Sequence, residues 1–116
     1  LSTKQEHDDK ADHNEYLVST LDNPFFDWQV TALFYAALHR VEAYFATKNI
    51  HLPTHTVRDS QIHRDHDLKS IYVDYRELEG ESRAARYNPT VIFTKIDVQR
   101  LTTRLKTIKD YIANIK

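Results

Sequence analysis

Apolar residues recur along this chain at steps of three and four, and few turn signals separate the runs. Over residues 4–21 the stripe is Ala11, Asn14, Leu17, Val18 and Leu21. It is narrow, so the first turns of this helix are expected to fray. Over residues 24–48 nearly every face is apolar: Phe25, Phe26, Trp28, Val30, Leu33, Phe34, Tyr35, Leu38, Val41, Tyr44 and Phe45, with small alanines between them. A helix that is apolar all round is buried by several neighbours, so this segment, its aromatic residues and Trp28 included, predicts the central helix of a bundle. Asn23 before Pro24 predicts its N-cap and first position, with Asp27 as an alternative cap.

Pro53 then breaks the chain, and Thr54 predicts the cap of a short helix over residues 55–63. Leu68, Ile71, Tyr75, Leu78, Ser82 and Ala85 define a further helix over residues 67–87, stopped by Asn88-Pro89. Gly80 inside it costs about 1 kcal/mol against Ala and predicts either close packing or a break. The last helix is the most regular, with Val98, Leu101, Leu105, Ile108, Ile112 and Ile115 on one face and Thr94 with Asp97 as an acidic capping box. Only residues 91–93 form a β-branched run. The pattern predicts one all-α domain over residues 1–116, an antiparallel bundle of four long helices and one short one.

Composition narrows the chemistry. A single Gly among 116 residues argues against a turn-rich β-sandwich, a Walker A loop or a dinucleotide-binding fingerprint. The absence of Cys excludes a disulfide framework, a thiol nucleophile and Cys-type metal sites. The polar, acidic opening residues lack the apolar core of a signal peptide, and the richest apolar stretch is interrupted by His39, Arg40 and Glu42. No membrane association is expected, and the cytoplasm is the default location. The formal net charge of −1 conceals an uneven distribution. Residues 1–27 hold two Lys against seven acids, net −5, and residues 95–116 hold six basic residues against two Asp, net +4. Neighbouring helices of opposite charge are expected to neutralise one another, with a phosphate-binding face on the last helix as the alternative.

Candidate chemistry concentrates between residues 51 and 86. His51, His55, His63 and His66 are interleaved with Arg58, Asp59, Arg64, Asp65 and Asp67 around one helix–loop junction. Three chemistries fit this pattern. The histidines and carboxylates suit a zinc-, nickel- or iron-type site, although Pro53 keeps His51 and His55 off a common helix face. Arg58 and His63 suit phosphodiester cleavage. Five residues apart on one helix, they are separated by about 140° and some 7.5 Å of rise, too far to touch but placed to flank a phosphodiester. The imidazole would move a proton near neutral pH and the guanidinium would stabilise charge growing on phosphorus. The third possibility is structural, with these side chains as caps and surface pairs.

The run from Asp27-Trp28 to Tyr35-Ala36-Ala37-Leu38-His39-Arg40-Val41-Glu42-Ala43 resembles the central helix of HEPN-domain proteins. Tyr75, Leu78 and Ser82-Arg83-Ala84-Ala85-Arg86-Tyr87 resemble that family's fourth helix, and Ala11, His13-Asn14 and Leu17 fit its first. The resemblance spans nearly the whole chain. It implies a small helical bundle, often a homodimer. Many members are metal-independent ribonucleases, often toxins paired with a minimal nucleotidyltransferase antitoxin. Their signature, an Arg followed by a polar residue and later a His, matches Arg58, Asp59 and His63.

On this resemblance the expected activity is a metal-independent endoribonuclease that needs no cofactor. His63 would assist attack of a ribose 2′-hydroxyl or protonate the leaving oxygen. Arg58 would stabilise the phosphorane-like charge, and Asp59 would position the pair. His55, Arg64, Arg83, Arg86 and Tyr87 are the candidates for substrate contact, although helix-end arginines such as Arg83 and Arg86 more often pair with nearby acids, here Glu79 or Glu81. The alternative is a non-catalytic module of the same family that binds a nucleotide or a protein partner.

Overall fold

In the computed structural model, which describes residues 1–20 and 25–115, the chain is all-helical, and no strand forms among the described residues. Five helices follow in order: α1 (Lys4–Thr20), α2 (Phe26–Thr47), α3 (His55–Arg64), α4 (Tyr72–Tyr87) and α5 (Lys95–Ala113), with a 3-10 turn at Lys69–Ile71 before α4. Leu21, Asn23 and Pro24, assigned above to the end of the first helix and the start of the second, lie outside the described residues.

The central position expected for α2 is what forms. It packs against α1, α4 and α5, and buries Val30, Leu33, Phe34, Ala36, Ala37, Val41 and Phe45 almost completely. The neighbours run antiparallel. His7 meets His39 while the Val18 carbonyl accepts from Gln29 Nε2, so α1 descends as α2 climbs. Arg86 reaches Tyr35 while Asp65 and Asp67 reach Tyr44, which sets the segment through α4 against α2. Asp74 pairs with Arg104 and Glu81 with Arg100, which sets α5 against α4. Leu68, Ile71, Tyr75, Leu78, Leu101, Leu105 and Ile108 complete the core.

Local signals explain most of the boundaries. Thr54 Oγ1 accepts from the Val57 N–H at 3.1 Å and starts α3. Thr94 and Asp97 form the expected capping box, with Asp97 accepting from the Thr94 N–H at 2.8 Å. Asp27 does not cap α2; it lies in the first turn of a helix whose N-cap is Phe25. The helix expected from residue 67 begins at Tyr72 instead. Asp65 Oδ1 accepts from the N–H groups of Asp67 and Leu68, and this side-chain turn holds the chain off the α-helical path until Tyr72. Leu68 and Ile71 are buried all the same.

Gly80 neither breaks α4 nor packs closely: the helix runs through it, and a Cβ there would meet nothing within 4 Å. Residues 91–93 form no strand; Phe93 plugs the core while Ile92 faces solvent. Trp28, expected in the core, is 57% exposed, and Phe25 beside it is nearly half exposed. Trp28 sits at the end of the bundle, over the last turn of α4, where the chain turns away at Asn88-Pro89. The acidic α1 and basic α5 share one bridge, Lys109 to Glu15 at 2.9 Å. Much of the remaining charge is met elsewhere: Asp8, Asp12 and Glu15 gather on Arg40 of α2, and Arg100 and Arg104 engage Glu77, Glu81 and Asp74 of α4. No helix among the described residues is long and apolar enough to cross a membrane.

Candidate functional site

Arg58 is the centre of the polar junction between α2, α3 and α4. Its position on the short α3 turns it inward, and only 6% of the residue is exposed. Nη2 donates to Glu42 Oε1 of α2 at 2.6 Å and to the Leu52 carbonyl at 3.3 Å. Nη1 lies 3.2 Å from His55 Nδ1. A guanidinium can only donate, so His55 Nδ1 accepts and carries no proton. Burial and the Arg58 charge together hold the His55 pKa below its ordinary value.

Two further groups build on this centre. On the α1 side, Glu42 Oε2 lies 3.3 Å from His7 Nδ1, and His7 Nδ1 lies 3.0 Å from His39 Nδ1, the two rings stacked with centroids 5.3 Å apart. Burial keeps the His39 pKa low, against the pull of Glu42. His39 and Glu42 are three residues apart on α2 and so share a face. A cavity of about 400 Å³, lined by His7, Glu42, His51, Leu52 and the first residues of the chain, opens beside them.

On the α4 side, Glu79 is almost fully buried yet ionisable. Its pKa is pushed up to about 7, first by burial and then by a hydrogen bond and charge repulsion from Asp59. A carboxyl that keeps its proton is the form that can donate to the neighbouring Asp59. Arg76 approaches both, at 3.3 Å from Glu79 Oε1 and 3.5 Å from Asp59 Oδ2. The buried hydroxyl of Tyr75 is driven well above the usual phenol range by the same desolvation.

The residues expected at the site divide between the interior and the surface. Arg58 and Asp59 face inward with His55 near them, but His63 stands on the outside of α3, stacked on Tyr72 at 4.5 Å. No hydrogen bond or ring contact joins Arg58 and His63 among the described residues, as their 140° separation requires. Arg64 is exposed at the end of α3. Arg86 donates to the Tyr35 hydroxyl at 3.1 Å and lies over the Tyr35 and Tyr87 rings. Neither Arg83 nor Arg86 forms an ion pair with Glu79 or Glu81 among the described residues; those acids are held by Arg76 and Arg100.

The four-histidine metal alternative does not assemble. His51 lines the cavity, His55 serves Arg58, His63 serves Tyr72, and His66 is exposed. Among the described residues the ligand-type groups that converge are His7, His39 and Glu42. Sequence reasoning did not single out these three or Glu79 as site residues. The available signal was a His and a Glu at helical spacing inside the most apolar helix of the chain, where each polar residue needs a partner.

No family model, curated protein or solved structure matches this chain.

Proposed function

We propose that this chain is a cytoplasmic HEPN-type domain that cleaves RNA without a metal ion, through the imidazoles and the guanidinium of α3. The observation that supports this best is the buried Arg58 guanidinium with the unprotonated His55 Nδ1 at 3.2 Å, on the helix that also carries the exposed His63. His55, held neutral, suits a base for the 2′-hydroxyl, and His63, open to solvent, suits proton delivery to the leaving oxygen. Arg58 contributes positive potential from below, and Asp59 orients α3 through Arg76 and Glu79. A 2′,3′-cyclic phosphate would result.

The same junction also favours a second reading. Glu42 at 2.6 Å already neutralises Arg58, which leaves it less to offer a phosphate. That observation fits a non-catalytic module whose partner, a nucleotide, a second copy or a nucleotidyltransferase-type antitoxin, docks elsewhere. A surface for such docking exists at the opposite end of α4, where Trp28, Phe25, Tyr87 and Ile92 are exposed together with Arg83.

The test is cleavage of a labelled single-stranded RNA in the presence of EDTA by the parent, His63→Ala and His55→Ala. Cyclic-phosphate ends produced by the parent and reduced at least about a hundredfold in either variant support catalysis. Saturable RNA or nucleotide binding with no turnover supports the module instead. Equal cleavage by all three proteins removes α3 from the chemistry.

A further inference from the structure

From the convergence of His7, His39 and Glu42 we infer a binding site for a single divalent transition-metal ion of the zinc class, set between α1 and α2. This goes beyond the ribonuclease proposal and does not depend on it.

Geometry is the first argument. His39 and Glu42 come from one face of α2 and His7 from the facing turn of α1, and one ligand atom from each lies within 4.8 Å of the other two. The edges that can be measured are 3.0 Å between the imidazole Nδ1 atoms and 3.3 Å from His7 Nδ1 to Glu42 Oε2. A tetrahedral ion with bonds of about 2.0–2.1 Å needs ligand atoms roughly 3.4 Å apart. These two edges are close to the required spacing, the third, between His39 and Glu42, lies within 4.8 Å, and side-chain rotations can bring all three to it. Imidazole and carboxylate oxygen are also the donors this class of ion prefers.

Protonation is the second argument. Two imidazole Nδ1 atoms at 3.0 Å cannot both carry a proton, so at least one is already an unprotonated donor atom. On metal binding any remaining Nδ1 proton moves to Nε2, and no net charge has to leave the protein.

The surroundings are the third. Glu42 uses Oε1 for Arg58 and has Oε2 free of that contact, so the arginine can hold the carboxylate in place from behind while the other oxygen faces the imidazoles. The side chains of His7 and Glu42 are largely shielded, at 11% and 20% exposure, yet both line the cavity beside Leu52. Three protein ligands with an accessible fourth direction is the arrangement of an exchangeable metal site rather than a closed structural one. Arg58 and Lys10 act against positive charge at His39, while the carboxylate of Glu42 favours it.

The experiment is titration of the full chain with Zn²⁺ by calorimetry and with Co²⁺ by visible absorption. The parent should bind one equivalent and give the intense d–d band of a four-coordinate cobalt site. His39→Gln and His7→Gln should each weaken binding at least about tenfold, while the double variant His13→Gln/His66→Gln, at two exposed histidines outside the cavity, retains it. Circular dichroism verifies that each variant is folded, and the parent's cobalt spectrum stands even if one is not. No binding by the parent, a pale six-coordinate spectrum, or affinity that survives His39→Gln and disappears with His13 and His66 overturns the site. RNA cleavage plays no part in the readout, so failure of the ribonuclease proposal leaves this result intact.

Discussion

Replacing Glu42 with Gln tests how the junction is held. The substitution keeps the volume and removes the charge that faces Arg58. The Arg58 side chain is 7% exposed and the Glu42 side chain 20%, with 2.6 Å between them. Breaking a buried ion pair by removing one partner costs about 3–5 kcal/mol, because the remaining charge is left desolvated without compensation. Partial exposure of Glu42 places the expected loss near the lower end, about 3 kcal/mol. At roughly 4 °C per kcal/mol for a domain of this size, the melting temperature should fall by about 12 °C. Urea unfolding at pH 7 measures this directly, with an unchanged m-value showing that the unfolded state is not the cause. The loss should persist in 1 M salt, where an exposed pair would be screened. The double variant Glu42→Gln/Arg58→Met should recover most of it, since a thioether in place of the guanidinium leaves no charge to desolvate. A single-variant loss below about 0.5 kcal/mol would refute the view that this pair is buried and coupled. The result also governs how Arg58 is interpreted: loss of RNA cleavage on replacing it means little unless the fold has survived.

Glu79 makes stability depend on pH. Its folded pKa of about 7 lies above the ordinary 4.5, so the native state holds the proton longer than the unfolded chain. The stabilisation is complete below about 4.5 and is lost as pH rises through about 7, on the order of a few kcal/mol. Urea melts at pH 5 and pH 8 should show this decline in the parent and a flatter profile in Glu79→Gln; identical slopes would exclude a raised Glu79 pKa. Trp28→Ser tests whether the exposed patch at the end of α4 joins two copies of the chain, the homodimer that the HEPN resemblance implies. Light scattering should give twice the chain mass for the parent and the single-chain mass for the variant, with folding retained because the indole is exposed; a monomeric parent removes the dimer.

The fold was legible because its signals are local and repeat. The all-round apolar character of α2 announced a helix with neighbours on every side, and Thr54 and Thr94 announced where two helices begin. Trp28 was misplaced for a reason that periodicity cannot convey. Position on a helix says which face a residue occupies, but not whether the neighbouring helix extends far enough to cover it. The start of α4 was displaced by one side chain, Asp65, whose turn depends on an Asx geometry that many aspartates decline to adopt. At the site, spacing correctly separated Arg58 from His63. It could not reveal that Arg58 would find Glu42, sixteen residues earlier, or that His7 would meet His39 across thirty-two. Such pairings are set by the tertiary packing of antiparallel helices, and no local window contains them.

The two proposals for the junction respond to pH in opposite directions. Around Glu79 and Glu42 the fixed charges are Arg58, Arg76 and Arg83 against Asp59 and Glu42. While Glu79 keeps its proton the cluster carries an excess positive charge, and a phosphodiester near α3 meets attraction. Once Glu79 ionises above about 7, that excess is cancelled and the field turns less favourable to an anion. A divalent cation at His7, His39 and Glu42 meets the reverse. The ionised Glu79 adds a negative charge that offsets the repulsion from Arg58. RNA affinity should therefore weaken, and metal affinity strengthen, across the same interval from pH 6 to pH 8. A common trend for both ligands would mean that Glu79 and Asp59 are insulated from the α1–α2 group. Arg58 would then not connect the two halves of the junction.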